Sequence, residues 1–222
     1  MRDMTEPVQN RDRKILVMAE GVEKRFKRNA SPQLGPLSFW VYEGEIVGLC
    51  GENGAGKSTL LGLLSGVLKA DRGGVRYGEG VRDALSYVPQ ELSLYETLSG
   101  NANLGFYGIA QGLPLRALKV RRGWLLKELS LADKGRERVS AYSGGMKRRL
   151  HLASGLMVTP KLLLLDEPTV GADQASVEAI LRLIVHLRDM GCGIVLVTHQ
   201  EGELERVADR IVTLSGGKIA EA

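Results

Sequence analysis

Gly51-Glu52-Asn53-Gly54-Ala55-Gly56-Lys57-Ser58 stands between an apolar run, Ile46-Val47-Gly48-Leu49-Cys50, and a leucine-rich segment over 59–68. The run is apolar on both faces, as a central strand covered on both sides must be. In the following segment Leu60, Leu61, Leu63, Leu64, Val67 and Leu68 recur at helical spacing, the pattern of an amphipathic helix packed on a sheet. The eight residues between them fit G-x-x-x-x-G-K-[ST], and a strand before and a helix after are the context in which that pattern carries meaning. Gly51, Gly54 and Gly56 let the backbone wrap with its N–H groups inward, and the helix N-terminus adds partial positive charge, so the loop is suited to phosphate. Lys57 would then bridge the outer phosphates and the Ser58 hydroxyl would ligate Mg2+. A glycine-rich turn with a solvated lysine is the competing reading, and both flanks argue against it.

Working outward, residues 1–13 are polar and aperiodic and read as a frayed lead-in. Strands are expected over 15–18 and 37–42, the second alternating Leu37, Phe39 and Val41 against Ser38, Trp40 and Tyr42, with a turn at Gly44-Glu45. Beyond the leucine-rich helix, Asp71-Arg72-Gly73-Gly74 reads as a break and 84–88 as a short strand before Pro89. From Gln90 to about Ala141 β-branched residues nearly vanish and helix formers dominate, so a helical insert is expected there. Alternation then returns, with a helix over 144–157, a strand over 162–165, a helix over 174–188 and a strand over 194–197. Repeated βα units imply a mainly parallel sheet. Residues 211–214 and 218–220, around Gly216-Gly217, read as a terminal hairpin.

Leu162-Leu163-Leu164-Leu165-Asp166-Glu167 is a buried strand ending in two carboxylates at its C-terminal edge, where open α/β sheets bind ligands. Asp166 would hold Mg2+ through water, and Glu167 would orient or deprotonate the attacking water. A plain polar strand exit is the alternative, and the phosphate loop weighs against it.

Composition narrows the class further. The 222 residues are 44% apolar and 25% charged, the ordinary globular balance, which excludes collagen-like, disordered and disulfide-stapled chains. The net charge of +4 is too small and too dispersed to require nucleic acid. Cys50 and Cys192 have neither metal spacing nor a CxxC partner and read as two reduced thiols. No signal-type apolar region opens the chain, and no apolar stretch reaches the roughly 18–20 residues of a membrane helix, so it is expected neither to span a membrane nor to be secreted.

Over roughly residues 15–220 the chain resembles the ATP-binding cassette family, the ATPase subunits of ABC transporters. Tyr142-Ser143-Gly144-Gly145-Met146, with Ser143 lying 23 positions before Asp166, is similar to the family signature. Gln90 resembles the Q-loop glutamine and His199 the switch histidine, 33 positions after Asp166 at the end of the next strand. Phe26 stands where many members carry an adenine-stacking aromatic; a solvated basic turn with Lys24, Arg25, Lys27 and Arg28 is the alternative. The resemblance implies an α/β P-loop NTPase core with a mainly parallel sheet, an N-terminal antiparallel β subdomain and an inserted α-helical subdomain. The flexible lead-in would be 1–13 and a single ATPase domain 14–222, with the helical part about 91–157.

For the site, it implies ATP and Mg2+ as cofactors. Nucleotide would be held by Phe26, Gly51, Asn53, Gly54, Ala55, Gly56, Lys57, Ser58 and Thr59, and by Ser143, Gly144 and Gly145 offered to a partner subunit. Ser58, Gln90 and Asp166 would serve the metal, and Lys57, Gln90, Glu167 and His199 the reaction. Ser-Gly-Gly alone is equally an N-cap. His151 and His186 read as structural. Met146 and the stretch around Leu94 to Leu104 are similar to the exporter branch that handles drugs, polysaccharides or lantibiotics, and Ala172 replaces the usual leucine of the D-loop.

The expected partners are a second ATPase subunit in a head-to-tail dimer, a homodimer by preference, and a separate transmembrane permease. The permease would place the chain on the cytoplasmic side of the membrane, docking along Gln90 to Thr97 with Leu94 and Tyr95 exposed. A soluble ABC ATPase acting on nucleic acid or the ribosome is the alternative, and a small-molecule P-loop kinase a weaker third. Arg121-Arg122 and Lys147-Arg148-Arg149 could touch RNA, against which stands a solvated helix face. No nucleic-acid partner is expected.

Overall fold

The computed structural model describes residues 13–26 and 33–220. Lys27, Arg28 and all of the expected lead-in except Arg13 lie outside the described residues. Strands β1 (Ile15–Lys24), β2 (Leu34–Tyr42), β3 (Ile46–Gly51), β4 (Arg72–Tyr77), β5 (Leu85–Val88), β6 (Leu162–Asp166), β7 (Gly193–Val197), β8 (Arg210–Ser215) and β9 (Lys218–Ile219) form two sheets. The larger has the order β5-β6-β7-β3-β8-β9, parallel throughout except for the β8–β9 hairpin. The smaller, β2-β1-β4, is antiparallel. Helices α1 (Lys57–Leu64), α2 (Gly100–Ala110), α3 (Leu115–Glu128), α4 (Gly144–Gly155), α5 (Gln174–Asp189) and α6 (Glu201–Val207) complete the frame, with α2, α3 and α4 all carried between β5 and β6.

The continuous apolar character of β3, β6 and β7 follows from covering on both faces. Leu163 and Leu165 of β6, with Ile194 and Leu196 of β7, pack into one core against helices α4 and α5. Leu162, Leu164, Val195 and Val197 pack into the other, with α1 and the antiparallel sheet. A strand with period-two side chains has no solvent face left in such a layer, so no polar position interrupts it. In β2, covered on one face only, Leu37, Phe39 and Val41 are buried while Ser38, Trp40 and Tyr42 are half-exposed, as the alternation predicts.

Three expectations are corrected. The leucine-rich helix stops at Leu64 rather than 68, because Gly66 adopts φ +77 and turns the chain back so that the Leu68 N–H donates to the Gly62 carbonyl. Val67, assigned to the apolar face, is exposed. The break at Asp71-Arg72-Gly73-Gly74 is the start of strand β4, which pairs Ala19 with Val75 and Val17 with Tyr77. It is an edge strand with two glycines and two arginines, so its composition reads as a turn although its backbone is laddered. The short polar helix α6 was not anticipated.

Among the described residues, no helix is long and apolar enough to cross a membrane. Both cysteines are free thiols, and burial pushes Cys192 up to about 12.

Candidate functional site

Gly51, the last residue of β3, takes φ +138, and a Cβ there would lie 2.1 Å from the Leu214 carbonyl oxygen of the neighbouring strand. Only glycine permits that turn, and the turn aims the loop across the end of the sheet. Lys57 opens α1 and is buried; its Nζ donates to the carbonyls of Gly51 at 2.6 Å and Glu52 at 3.0 Å, which folds the ammonium back over the loop.

A cleft of about 300 Å³ gathers Phe26, Asn53, Gly54, Gly56, Lys57, Ser58, Thr59, Gln90, Asp166, Glu167 and His199. Gln33, which sequence reasoning missed, also lines it; its Oε1 accepts from the Phe26 N–H at 3.2 Å. Phe26 is 55% exposed, which leaves ring surface for a planar ligand, although the Lys24 ammonium lies over the ring, 5.9 Å from its centroid. Gly51 and Ala55 do not line the cleft.

Successive residues of a strand point to opposite faces, yet Asp166 and Glu167 line the same cleft. Glu167 takes φ +51, the left-handed region a glutamate seldom occupies, and the strand ends there. Both carboxylates are buried. Glu167 Oε1 lies 3.0 Å from His199 Nε2, and Oε2 accepts the His199 backbone N–H at 3.3 Å. The 3.0 Å approach is an ion-pair distance without hydrogen-bond geometry, so Oε1 keeps an acceptor position free. Burial raises the Glu167 carboxyl above its ordinary range; the His199 ring and N–H and the Lys57 charge oppose that, while Asp166 adds to it. A carboxylate shifted this way, in a cleft, is suited to accept a proton.

Ser143, Gly144 and Gly145 do not line this cleft. They open α4, where the Ser143 hydroxyl accepts the Met146 N–H at 3.2 Å as an N-cap. A Cβ on Gly145 would stand 2.4 Å from Ser176 Oγ and 2.5 Å from Asp173 Oδ2, so this glycine is also required by the close packing of α4 on the start of α5. The start of α4 and the loop before α1 thus lie apart in one chain.

The basic side chains are half-exposed and at the same time engaged by the fold. Arg148 donates to the carbonyls of Gln90 and Val170, tying α4 to the turns after β5 and β6. Arg149 donates to the Leu129 carbonyl at 2.8 Å, and Lys147 pairs with Glu96. Arg121 donates to the Leu156 carbonyl and lies 4.6 Å from the Trp124 ring centroid, and Arg122 donates to the Asn101 carbonyl. The solvated helix face is thus met only in part, four of the five half-exposed side chains donating to carbonyls and Lys147 pairing with Glu96.

A second cavity, about 460 Å³, opens along β5 at the edge of the main sheet, lined by Tyr87, Pro89 and Ser93, by Tyr107 of α2 and Gln111 just after it, and by His151 of α4. Beside it Tyr95, Phe106 and Tyr107 form an aromatic group, Tyr95 and Phe106 meeting edge to face at 4.9 Å. Tyr95 is exposed as expected, whereas Leu94 is half-buried against the core.

His151 is 5% exposed, and burial pushes its imidazole down from 6.5 to about 4. Between those values the unfolded chain binds the proton and the folded one does not, so folding stability falls as pH drops through that window, by about 3 kcal/mol for this group. Urea midpoints at pH 7 and pH 4.5 are expected to lie closer together in His151→Gln than in the parent; an equal separation would contradict the burial assigned to this ring.

Comparison with known proteins places this arrangement. The family model of the ABC transporter matches residues 34–170. The chain is 36% identical over 213 residues to the doxorubicin resistance ATP-binding protein DrrA of Mycobacterium tuberculosis, covering 92% of this chain and 64% of that one. It is 34% identical over 212 residues to the linearmycin resistance ATP-binding protein LnrL of Bacillus subtilis, covering 92% and 68%. A solved structure described as an ATP-binding subunit of an ABC transporter superposes with a TM-score of 0.83 at 29% identity, over 93% of this chain and 88% of that chain. The chain therefore spans about two thirds of the length of these curated relatives.

Proposed function

The chain belongs to the ABC transporter family, and we propose that it is the ATP-binding and hydrolysing subunit of an exporter, driving a separate transmembrane permease through ATP-dependent closure of a dimer. The observation that carries this reading is the gathering of Lys57, Asp166, Glu167 and His199 in one cleft at the C-terminal edge of a parallel sheet. Phe26 would stack on the adenine, the N–H groups of the loop and Lys57 would hold the phosphates, and Glu167 would take the proton of the attacking water while His199 fixes its carboxylate. Residues 14–222 would act as one ATPase domain and 91–157 as its helical subdomain.

The donors in the cleft also fit Mg2+. The Asp166 carboxylate, Ser58 hydroxyl and Gln90 amide are hard oxygen ligands, and this ion is commonly held by one or two carboxylates together with substrate phosphates. When bound it would neutralise charge developing on the transferred phosphoryl oxygens.

Ser143, Gly144 and Gly145 stand outside the cleft, which supports their service to the nucleotide of a second subunit, so that two chains arranged head to tail would sandwich two ATP. The names of the relatives, doxorubicin and linearmycin resistance proteins, support a drug-type cargo. Engagement of Arg121, Arg122, Lys147, Arg148 and Arg149 by the fold weighs against nucleic acid. Attachment through the permease would hold the chain at the cytoplasmic face of the membrane.

The test is Mg2+-dependent ATP hydrolysis by the purified chain, with affinity capture of a multi-span membrane protein from detergent-solubilised cells. The cavity along β5 and its aromatic neighbours are the surface we assign to permease docking. Tyr95→Glu combined with Phe106→Glu is expected to abolish that capture while leaving basal hydrolysis within about twofold, since neither ring touches the nucleotide cleft. Intact capture would move docking elsewhere, and absence of any membrane partner with hydrolysis stimulated by RNA would favour the soluble alternative.

A further inference from the structure

Glu203 lies in α6, outside every motif singled out in the sequence. Its side chain is 9% exposed, and its Oε2 accepts two hydroxyl hydrogen bonds, from Thr169 Oγ1 at 2.7 Å and from Thr198 Oγ1 at 3.2 Å. Both hydroxyls are buried. A buried carboxylate is tolerated only when it is well supplied with donors, and here the donors come from two different turns. Thr169 lies two residues after Glu167, in the turn that leaves β6. Thr198 immediately precedes His199, in the turn that leaves β7, and its oxygen also accepts the Gln200 N–H at 3.1 Å.

The position of this brace matters because the sheet stops just short of the reacting groups. The β6–β7 ladder ends with the pair Asp166 and Val197, followed by one further bond, Glu167 N–H to the Val197 carbonyl at 2.9 Å. Past it, the Glu167–His199 contact and the Glu203 carboxylate join the two turns. That contact consists of one long bond from the His199 N–H, at 3.3 Å, and a ring with a half-exposed side chain, and such a contact holds its geometry only as well as the backbones beneath it.

We propose that Glu203 is a positioning residue for ATP hydrolysis: by accepting from Thr169 and Thr198 at once, it fixes the turns after β6 and β7 to each other and so holds His199 against the Glu167 carboxylate. This rests on the ATPase reading given above. A misplacement of about 1 Å in a reacting group costs about 100-fold in rate, so Glu203→Ala is expected to lower kcat by about 30- to 100-fold. ATP affinity, measured with Mg2+ omitted, should stay within about threefold, because Glu203 does not line the nucleotide cleft.

The experiment compares Glu203→Ala, Glu203→Gln, Thr169→Val and Val207→Ala for kcat, ATP affinity and melting temperature. The amide oxygen of Gln can accept both hydroxyls, so Glu203→Gln should recover most of the rate. Thr169→Val, which removes one arm, should lose about tenfold and keeps the question open to measurement if the alanine variant does not fold. Val207→Ala trims a buried side chain of the same helix and should lower the melting temperature with kcat unchanged.

A Glu203→Ala rate within threefold of the parent, a Glu203→Gln rate no better than that of Glu203→Ala, or an equal loss in Val207→Ala would overturn the proposal. A second readout does not depend on turnover. The His199 ring resonances should shift when Glu167→Gln is introduced into the parent and fail to shift when it is introduced into Glu203→Ala. If the parent hydrolyses no ATP, the ATPase reading fails, and the ring measurement alone decides the brace, a persistent shift in the Glu203→Ala background refuting it.

Discussion

Lys57→Ala is expected to weaken ATP binding by about 100-fold or more and to bring hydrolysis below detection, with a folded chain remaining. The lysine supplies the one positive side-chain charge of the phosphate loop, and its side chain is already buried, with the ammonium held by the Gly51 and Glu52 carbonyls. Its flexible stem is therefore ordered before any ligand arrives, and little entropy remains to be lost on binding. Removing it deletes the charge and also takes a donor from two carbonyls, of which that of Glu52 keeps the Ala55 N–H, so a fall of about 1 kcal/mol in stability should accompany the loss of affinity. Isothermal titration with ATP, beside a thermal melt, separates the two effects. Nucleotide affinity equal to that of the parent in a folded variant would dismiss the assignment of the loop.

Glu167→Gln is expected to behave in the opposite way, binding ATP as well as the parent or better while turnover drops by about 1,000-fold. The amide preserves the shape of a side chain that is buried and lodged against His199, but it cannot take up a proton. It also relieves the cost of holding a carboxylate where burial raises its pKa, so the variant should be no less stable than the parent. With hydrolysis stopped, ATP should accumulate the closed dimer, and size-exclusion chromatography with ATP and Mg2+ present should show about twice the parent's apparent mass. A monomeric variant that still hydrolyses ATP at the parent's rate would remove Glu167 from the role of base.

These two residues differ in how far they could be read from sequence. Lys57 is reached by neighbours alone, because strand, loop and helix are contiguous and each has a local signature. Glu167 is reached only through its position after Asp166 on a leucine strand; nothing local reveals that a left-handed backbone turns it into the same cleft as Asp166. The β6 and β7 strands were legible as short apolar runs, α4, α5 and the terminal hairpin from the elements and glycines around them, and α2 and α3 only as a region where helix formers dominate. Strand β4 was not, since an edge strand that buries little needs little apolar sequence, and its Gly73-Gly74 pair mimics a turn.

The basic residues carry the same lesson. Charge in a sequence gives no account of where a side chain finds its acceptors, and Arg148 and Arg149 find theirs in carbonyls left open at turns and helix ends. Likewise Gly145 looked like half of an anion cradle, and its need for the absence of a Cβ comes equally from Asp173 and Ser176, some thirty residues on.

Local sequence was enough for the phosphate loop, the alternating β and α elements and the two-sided core, because each depends on residues within one or two turns of one another and on the burial their spacing imposes. That Glu167 meets His199 at 3.0 Å, that Glu203 receives the hydroxyls of Thr169 and Thr198, and that His151 is buried beside the β5 cavity came only with the packed fold. Those relations join separate turns and helices whose distances are set by the packing of parallel strands about 4.8 Å apart, a spacing that no single segment encodes.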